Sequence, residues 1–178
     1  MGFRHKYDHT GKAKKQGEDG FWTFVYSMRK AGYKVYEVSF YEDAVRKYDC
    51  RVETEEETFT TDVKSAKKAT SGKSDIQYKE LVMEFRNGKA TEGSGWLYGK
   101  ADFITFELEK TFIRFPRVEL AQIVEEMTDF DDLVENFGDC TYKVYSRRGD
   151  LITKVELSRL KEEFKKRKIP YKEYQKYE

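Results

Sequence analysis

Residues 49–64 read DCRVETEEETFTTDVK, and this stretch decides the fold. Cys50 and Val52 alternate with charged residues at its start, and Phe59 and Val63 alternate with Thr and Asp at its end. That period of two marks half-buried strands. The acidic run Glu53–Glu57 between them is a turn, so the stretch reads as a hairpin. Its first strand lies within 43–54, around Val45, Tyr48, Cys50 and Val52, and Thr58–Lys64 is the return strand. Residues i and i+2 of a strand share a face. Asp62 and Lys64 therefore project together, and antiparallel pairing brings Asp49 near them. Two carboxylates a few ångströms apart repel one another and favour a divalent cation, and hard oxygen ligands with open positions suit Mg²⁺ or Mn²⁺. A lysine beside such an ion can orient or deprotonate a water, or stabilise charge on a phosphate. The competing reading is a set of surface salt-bridging strand residues. Acid-x-Lys occurs twice among 33 acidic residues, as Asp62-x-Lys64 and Glu163-x-Lys165, and the second falls on a helix.

The pattern extends outward on both sides. Phe21, Val25 and Met28, with Trp22 and Tyr26 beside them, give Glu18–Ala31 the spacing of an amphipathic helix closed by Gly32. Tyr33–Phe40 alternates as a strand. Ser65–Gln77 is polar, small and basic and reads as a mobile loop. Tyr78–Phe85 is a strand on which Glu84 reads as a solvent-side residue. Asn87–Gly99 is a Gly-rich loop carrying Trp96 and Tyr98. Ala101–Glu107 and Thr111–Phe115 form a second hairpin that Pro116 ends, followed by a helix over Arg117–Met127. Residues 141–155 give a strand pair turning at Arg147–Asp150, and Val155–Lys168 closes as a basic helix. This order predicts an α/β or α+β domain with one mixed central β-sheet flanked by helices.

Length and composition bound the function. At 178 residues the chain suits one domain with a sizeable core. Its 38% charged residues would suit disorder, but 13 Phe, 13 Tyr and 2 Trp oppose it. No apolar run approaches the ~20 residues of a membrane helix, and the basic start has no apolar segment of a secretory signal. Cys50 and Cys140 make no metal-spaced pair, which fits a reducing, cytoplasmic setting. There is no G-x-S-x-G elbow and no P-loop lysine, and His5 and His9 are the only histidines. The net charge of +1 hides blocks: residues 119–139 hold eight acids and no Lys or Arg, while 64–79 hold five lysines against Asp75.

Several segments together resemble the PD-(D/E)XK nuclease superfamily, the restriction-endonuclease-like and Holliday-junction-resolvase-like fold, and in particular its small phage or bacterial members. They are the opening helix GEDGFWTFVYSMRKAGY, Tyr-Asp49-Cys where the family has Pro-Asp, Thr-Asp62-Val-Lys64, the basic loop leading to ELVMEF, and GWLYGKADFITF. The resemblance covers Gly17 to about Leu120. It implies an α/β restriction-endonuclease-like core over 17–127, after a basic flexible N-terminus over 1–16. Residues 128–178 then form an extension with a strand pair and a basic helix packed on the core. It also implies an Mg²⁺-dependent (or Mn²⁺-dependent) deoxyribonuclease, an endonuclease before an exonuclease, acting on duplex or branched DNA, with a homodimer as a common state of the family.

Carried over position by position, the resemblance makes Asp49 and Asp62 metal ligands and Lys64 the water-activating or charge-stabilising lysine. Glu18 matches the helix acid that some members add to the metal; by itself it is also a carboxylate favoured at a helix N-terminus. Lys67, Lys68 and Lys73, among small residues, suit contact with a phosphate backbone. Lys100 is placed to touch a phosphate, and Asp102 reads as structural. Trp96 and Tyr98 are candidates for stacking on unpaired bases or for anchoring their loop in the core. Two rival functions stand beside the nuclease: a non-catalytic nucleic-acid-binding module, and a protein-interaction factor using the acidic 119–139 segment.

Overall fold

The structure, a computed structural model, describes residues 12–38, 48–68, 76–88 and 94–177. Helix α1 (Lys12–Lys30) is followed by β1 (Lys34–Glu37), β2 (Cys50–Glu53) and β3 (Thr58–Lys64). A two-residue ladder, β4 (Lys67–Lys68) with β5 (Ile76–Gln77), leads to β6 (Glu80–Arg86). A 3-10 turn at Trp96–Tyr98 precedes β7 (Phe103–Glu107) and β8 (Thr111–Pro116). Then come α2 (Arg117–Met127), β9 (Asp129–Val134), β10 (Lys143–Arg147), β11 (Asp150–Glu156), α3 (Leu157–Lys166) and β12 (Lys172–Gln175).

The strands form two mixed sheets where the sequence reading has one. The larger runs β1-β2-β3-β7-β8-β12, with the β3–β7 pair parallel; the smaller runs β6-β11-β10-β9, with the β9–β10 pair parallel. Because β11 pairs with β6, the 128–178 segment is hydrogen-bonded into the second sheet and not merely laid on the core.

Both faces of the large sheet are covered. Phe24, Val25 and Met28 of α1 meet Phe59 and Val63 of β3, with Val52 and Phe112, on one face. Ile104, Phe106, Ile113 and Phe115 on the other face meet Leu120 and Val124 of α2, Leu160 and Phe164 of α3, and Leu81, Met83 and Phe85 of β6. Burying each large apolar side chain of this kind contributes about 1.5–3 kcal/mol. The strand β8 runs through both layers, so Phe112 to Phe115 are buried without alternation. Gly32, at φ 88°, ends α1 as the sequence suggests.

Helix α1 begins at Lys12, six residues before the Glu18 start that the apolar spacing gives. Residues 12–16 are therefore helical and not a flexible tail, while residues 1–11 lie outside the described residues. Lys, Ala and Gln favour helix without an apolar stripe, so periodicity is blind to them. No helix among the described residues is long and apolar enough to cross a membrane.

Candidate active site

Cys50 of β2 pairs with Thr61 of β3, and this register sets Asp49 opposite Asp62. The Asp49 main chain extends the ladder: its N–H donates to the Thr61 carbonyl at 3.0 Å, and its carbonyl accepts from Val38 N–H at 3.1 Å. Its side chain turns back onto β3, where Oδ2 accepts the Val63 N–H at 2.7 Å. The Asp49 and Asp62 carboxyls also hydrogen-bond to each other, which requires one of them to carry a proton. Asp62 and Lys64, two apart on β3, share a face as expected, with Oδ1 and Nζ at 2.7 Å. Lys64 keeps 24% of its side chain exposed, so the site is not sealed from solvent.

The floor beneath Lys64 comes from β6 and the 3-10 turn that follows it. The Trp96 ring lies 5.0 Å from Lys64 Nζ and packs edge-on against Phe106 at 5.9 Å. The backbone N–H of Trp96 donates to the Glu84 carboxylate, which also lies in the field of Lys64 and Asp62. Glu84 is thus half-buried beside the lysine, not a solvent-side residue as its alternation suggested. The odd residues of β6 enter the core, and Glu84 between them is only half-buried, in the field of Lys64 and Asp62.

Three carboxyls therefore surround one ammonium. Burial, and then the Asp62 charge, push Asp49 up to about 8 despite the opposing pull of Lys64 and the Val63 N–H. Burial also raises Glu84, with Lys64 opposing it. For Lys64 burial works against the charged form, but the Asp62 and Asp49 carboxylates outweigh it and hold the ammonium above its ordinary range. At neutral pH a proton on the aspartate pair removes part of the excess negative charge. A hard divalent cation is the other group that could neutralise it, and the carboxylate oxygens of Asp49 and Asp62 fit that requirement.

The remaining candidates fall elsewhere. Glu18 is exposed on α1, which packs on the opposite face of β3 from Asp62 and Lys64. No group of three or more His, Cys, Asp or Glu among the described residues is gathered to hold a metal, so Glu18 does not complete the aspartate pair. Lys67 and Lys68 lie on β4, so the loop read as mobile has a ladder at its base. Lys73 lies outside the described residues. Lys100 is exposed at the end of the 3-10 turn. Tyr98 is exposed, and its hydroxyl donates to the Glu125 carboxylate of α2. Asp102 is structural: Oδ2 accepts the Thr60 N–H at 2.8 Å and its hydroxyl at 2.9 Å, tying β3 to the start of β7.

Gly95 is what lets the floor approach. A Cβ there would lie 2.2 Å from the Glu84 carbonyl oxygen and 2.6 Å from its carbon, both backbone atoms of a strand that cannot yield. Gly95→Ala should therefore destabilise the fold by about 1–3 kcal/mol. Urea denaturation measures this; a midpoint equal to wild type would show that the turn is free to move.

No protein-family model and no curated protein matches the chain. Among solved structures, a bacterial homing endonuclease is similar with a TM-score of 0.39 and 21% identity, over 58% of this chain and 64% of that one. The chain thus spans slightly less than two thirds of that endonuclease. A likeness of this size bears on neither activity nor site residues.

Proposed function

We propose that the protein is a metal-dependent nuclease with a PD-(D/E)XK-type site that hydrolyses phosphodiester bonds in DNA. The observation that carries this reading is the pairing of Asp49 with Asp62, whose Oδ1 lies 2.7 Å from a Lys64 ammonium that its neighbours keep charged, at one end of β3. Asp49 and Asp62 would hold Mg²⁺ or Mn²⁺, which when bound supplies a Lewis acid and a more acidic water. The Lys64 ammonium, kept charged by its neighbours, suits stabilisation of negative charge on a phosphate better than removal of a proton. The lysines at 67, 68, 73 and 100 would add contacts to the phosphate backbone, which position a nucleic acid without reading its sequence. One observation favours a second reading, a nucleic-acid-binding module without turnover: among the described residues no third carboxylate is gathered with Asp49 and Asp62 to hold a metal.

Incubation with plasmid, single-stranded and branched DNA in Mg²⁺, Mn²⁺ or EDTA separates the two. Cleavage with either metal and none in EDTA is expected. A salt-sensitive gel shift with no cleavage in any condition would establish the binding module instead.

A further inference from the structure

We propose that Trp96 is a positioning residue for Lys64: its indole face holds the ammonium over the aspartate pair. The inference rests on the nuclease reading above and adds a residue to that site. Lys64 stands at the end of a strand, and a lysine stem has several rotatable bonds whose freedom must be lost before the ammonium has a fixed place. Asp62 grips Nζ from one side at 2.7 Å. The Asp62 oxygens are also those that would hold a cation, so a hold on Lys64 that uses no carboxylate keeps the lysine placed in either condition. The Trp96 ring supplies one, since 5.0 Å from Nζ to its centroid is within cation–π range.

Trp96 is itself fixed on three sides. Its ring meets Phe106 at 5.9 Å, its backbone N–H is taken by the Glu84 carboxylate, and the neighbouring Gly95 N–H donates to the Phe85 carbonyl at 2.9 Å. A half-buried ring packed on Phe106 and carried by a hydrogen-bonded turn, with Lys64 over one face, is built to support a side chain and not to receive a base. The expectation of base stacking at Trp96 gives way to this role.

The test compares Trp96→Leu, which removes the π face, with Trp96→Phe, which keeps one. Steady-state cleavage of plasmid DNA in Mg²⁺ or Mn²⁺ is measured beside the Lys64 ε-methylene resonance in lysine-labelled protein. Trp96→Leu should lower kcat about tenfold with KM unchanged and abolish the ring-current shift at Lys64, and Trp96→Phe should retain both. Wild-type kcat in Trp96→Leu, or an equal loss in both variants, would overturn the proposal. Should Trp96→Leu fail to fold, Trp96→Met takes its place with the same readouts. If the wild-type protein cuts no DNA, the nuclease reading falls and the resonance alone decides. A ring-current shift lost in the Leu variant upholds the hold on Lys64, and an unchanged resonance removes it.

Discussion

Replacing Lys64 by methionine is expected to slow DNA cleavage about a hundred- to a thousandfold while the chain still folds. Methionine keeps an apolar stem of similar length and removes the ammonium that lies over the Trp96 ring. The salt bridge to Asp62 is lost, and with only 24% and 12% of the two side chains exposed this costs stability about 3 kcal/mol, relieved in part by a proton on the aspartate pair. Without the ammonium, the carboxyls at 49, 62 and 84 lose the cation that the described residues place among them. A divalent ion should then raise the melting temperature of the variant at least as much as that of wild type. That second readout separates a lysine acting on the phosphate from one that merely helps the metal bind. If Lys64→Met cuts DNA at the wild-type rate, Lys64 has no part in the chemistry. If it loses the metal-dependent rise in melting temperature, its role lies in building the site.

The parts of this site that were legible in the sequence are those set by local pairing. Alternation over Cys50–Lys64 gives the hairpin, the hairpin gives the register, and the register sets Asp49 beside Asp62 and Lys64 on the same face. Helix α2 was equally legible, because Leu120, Ile123 and Val124 follow its turns into a core. The parts that failed depend on what packs on what. Glu84 alternates like a solvent-side residue, and only the docking of β6 over the large sheet brings it to Lys64. Glu18 has the composition of a metal acid, but α1 covers the other face of β3. β9 and β12 went unread for a different reason. Both are edge strands with mostly exposed residues, so neither shows the apolar alternation that sequence reading relies on. Arg114 is the same lesson reversed: a charged residue in the middle of β8 is buried between Phe59 and Phe103, each 3.9 Å from its guanidinium, and pairs with Glu57 at 2.8 Å.

The aspartate pair predicts an opposition between stability and metal binding, and Asp49→Asn exposes it. Asparagine keeps an oxygen to accept the Val63 N–H and offers Asp62 an N–H in place of the shared proton. It removes the charge whose confinement pushes Asp49 to about 8, with burial the first cause and Asp62 the second. The sign follows from linkage. Between the ordinary value of 3.8 and about 8 the folded protein holds a proton on Asp49 that the unfolded chain has released. Stability of the metal-free wild type therefore falls as pH rises through that window and levels off above it. The variant has no such group, so its advantage should be small at pH 5 and grow toward pH 8.5. Partial exposure and the nearby lysine limit the gain to about 1–2 kcal/mol, or about 2–6 °C in melting temperature. A divalent cation acts on the wild type in the opposite direction, because it replaces the proton. The rise in melting temperature that it causes should increase with pH up to about 8. In Asp49→Asn that rise should vanish, along with DNA cleavage. Thermal melts of both proteins from pH 5 to 8.5, with Mn²⁺ and with EDTA, decide the matter. An Asp49→Asn variant less stable than wild type at pH 8.5 without metal would mean that the two carboxyls are not in electrostatic conflict, and the case for a metal between them would fall with it.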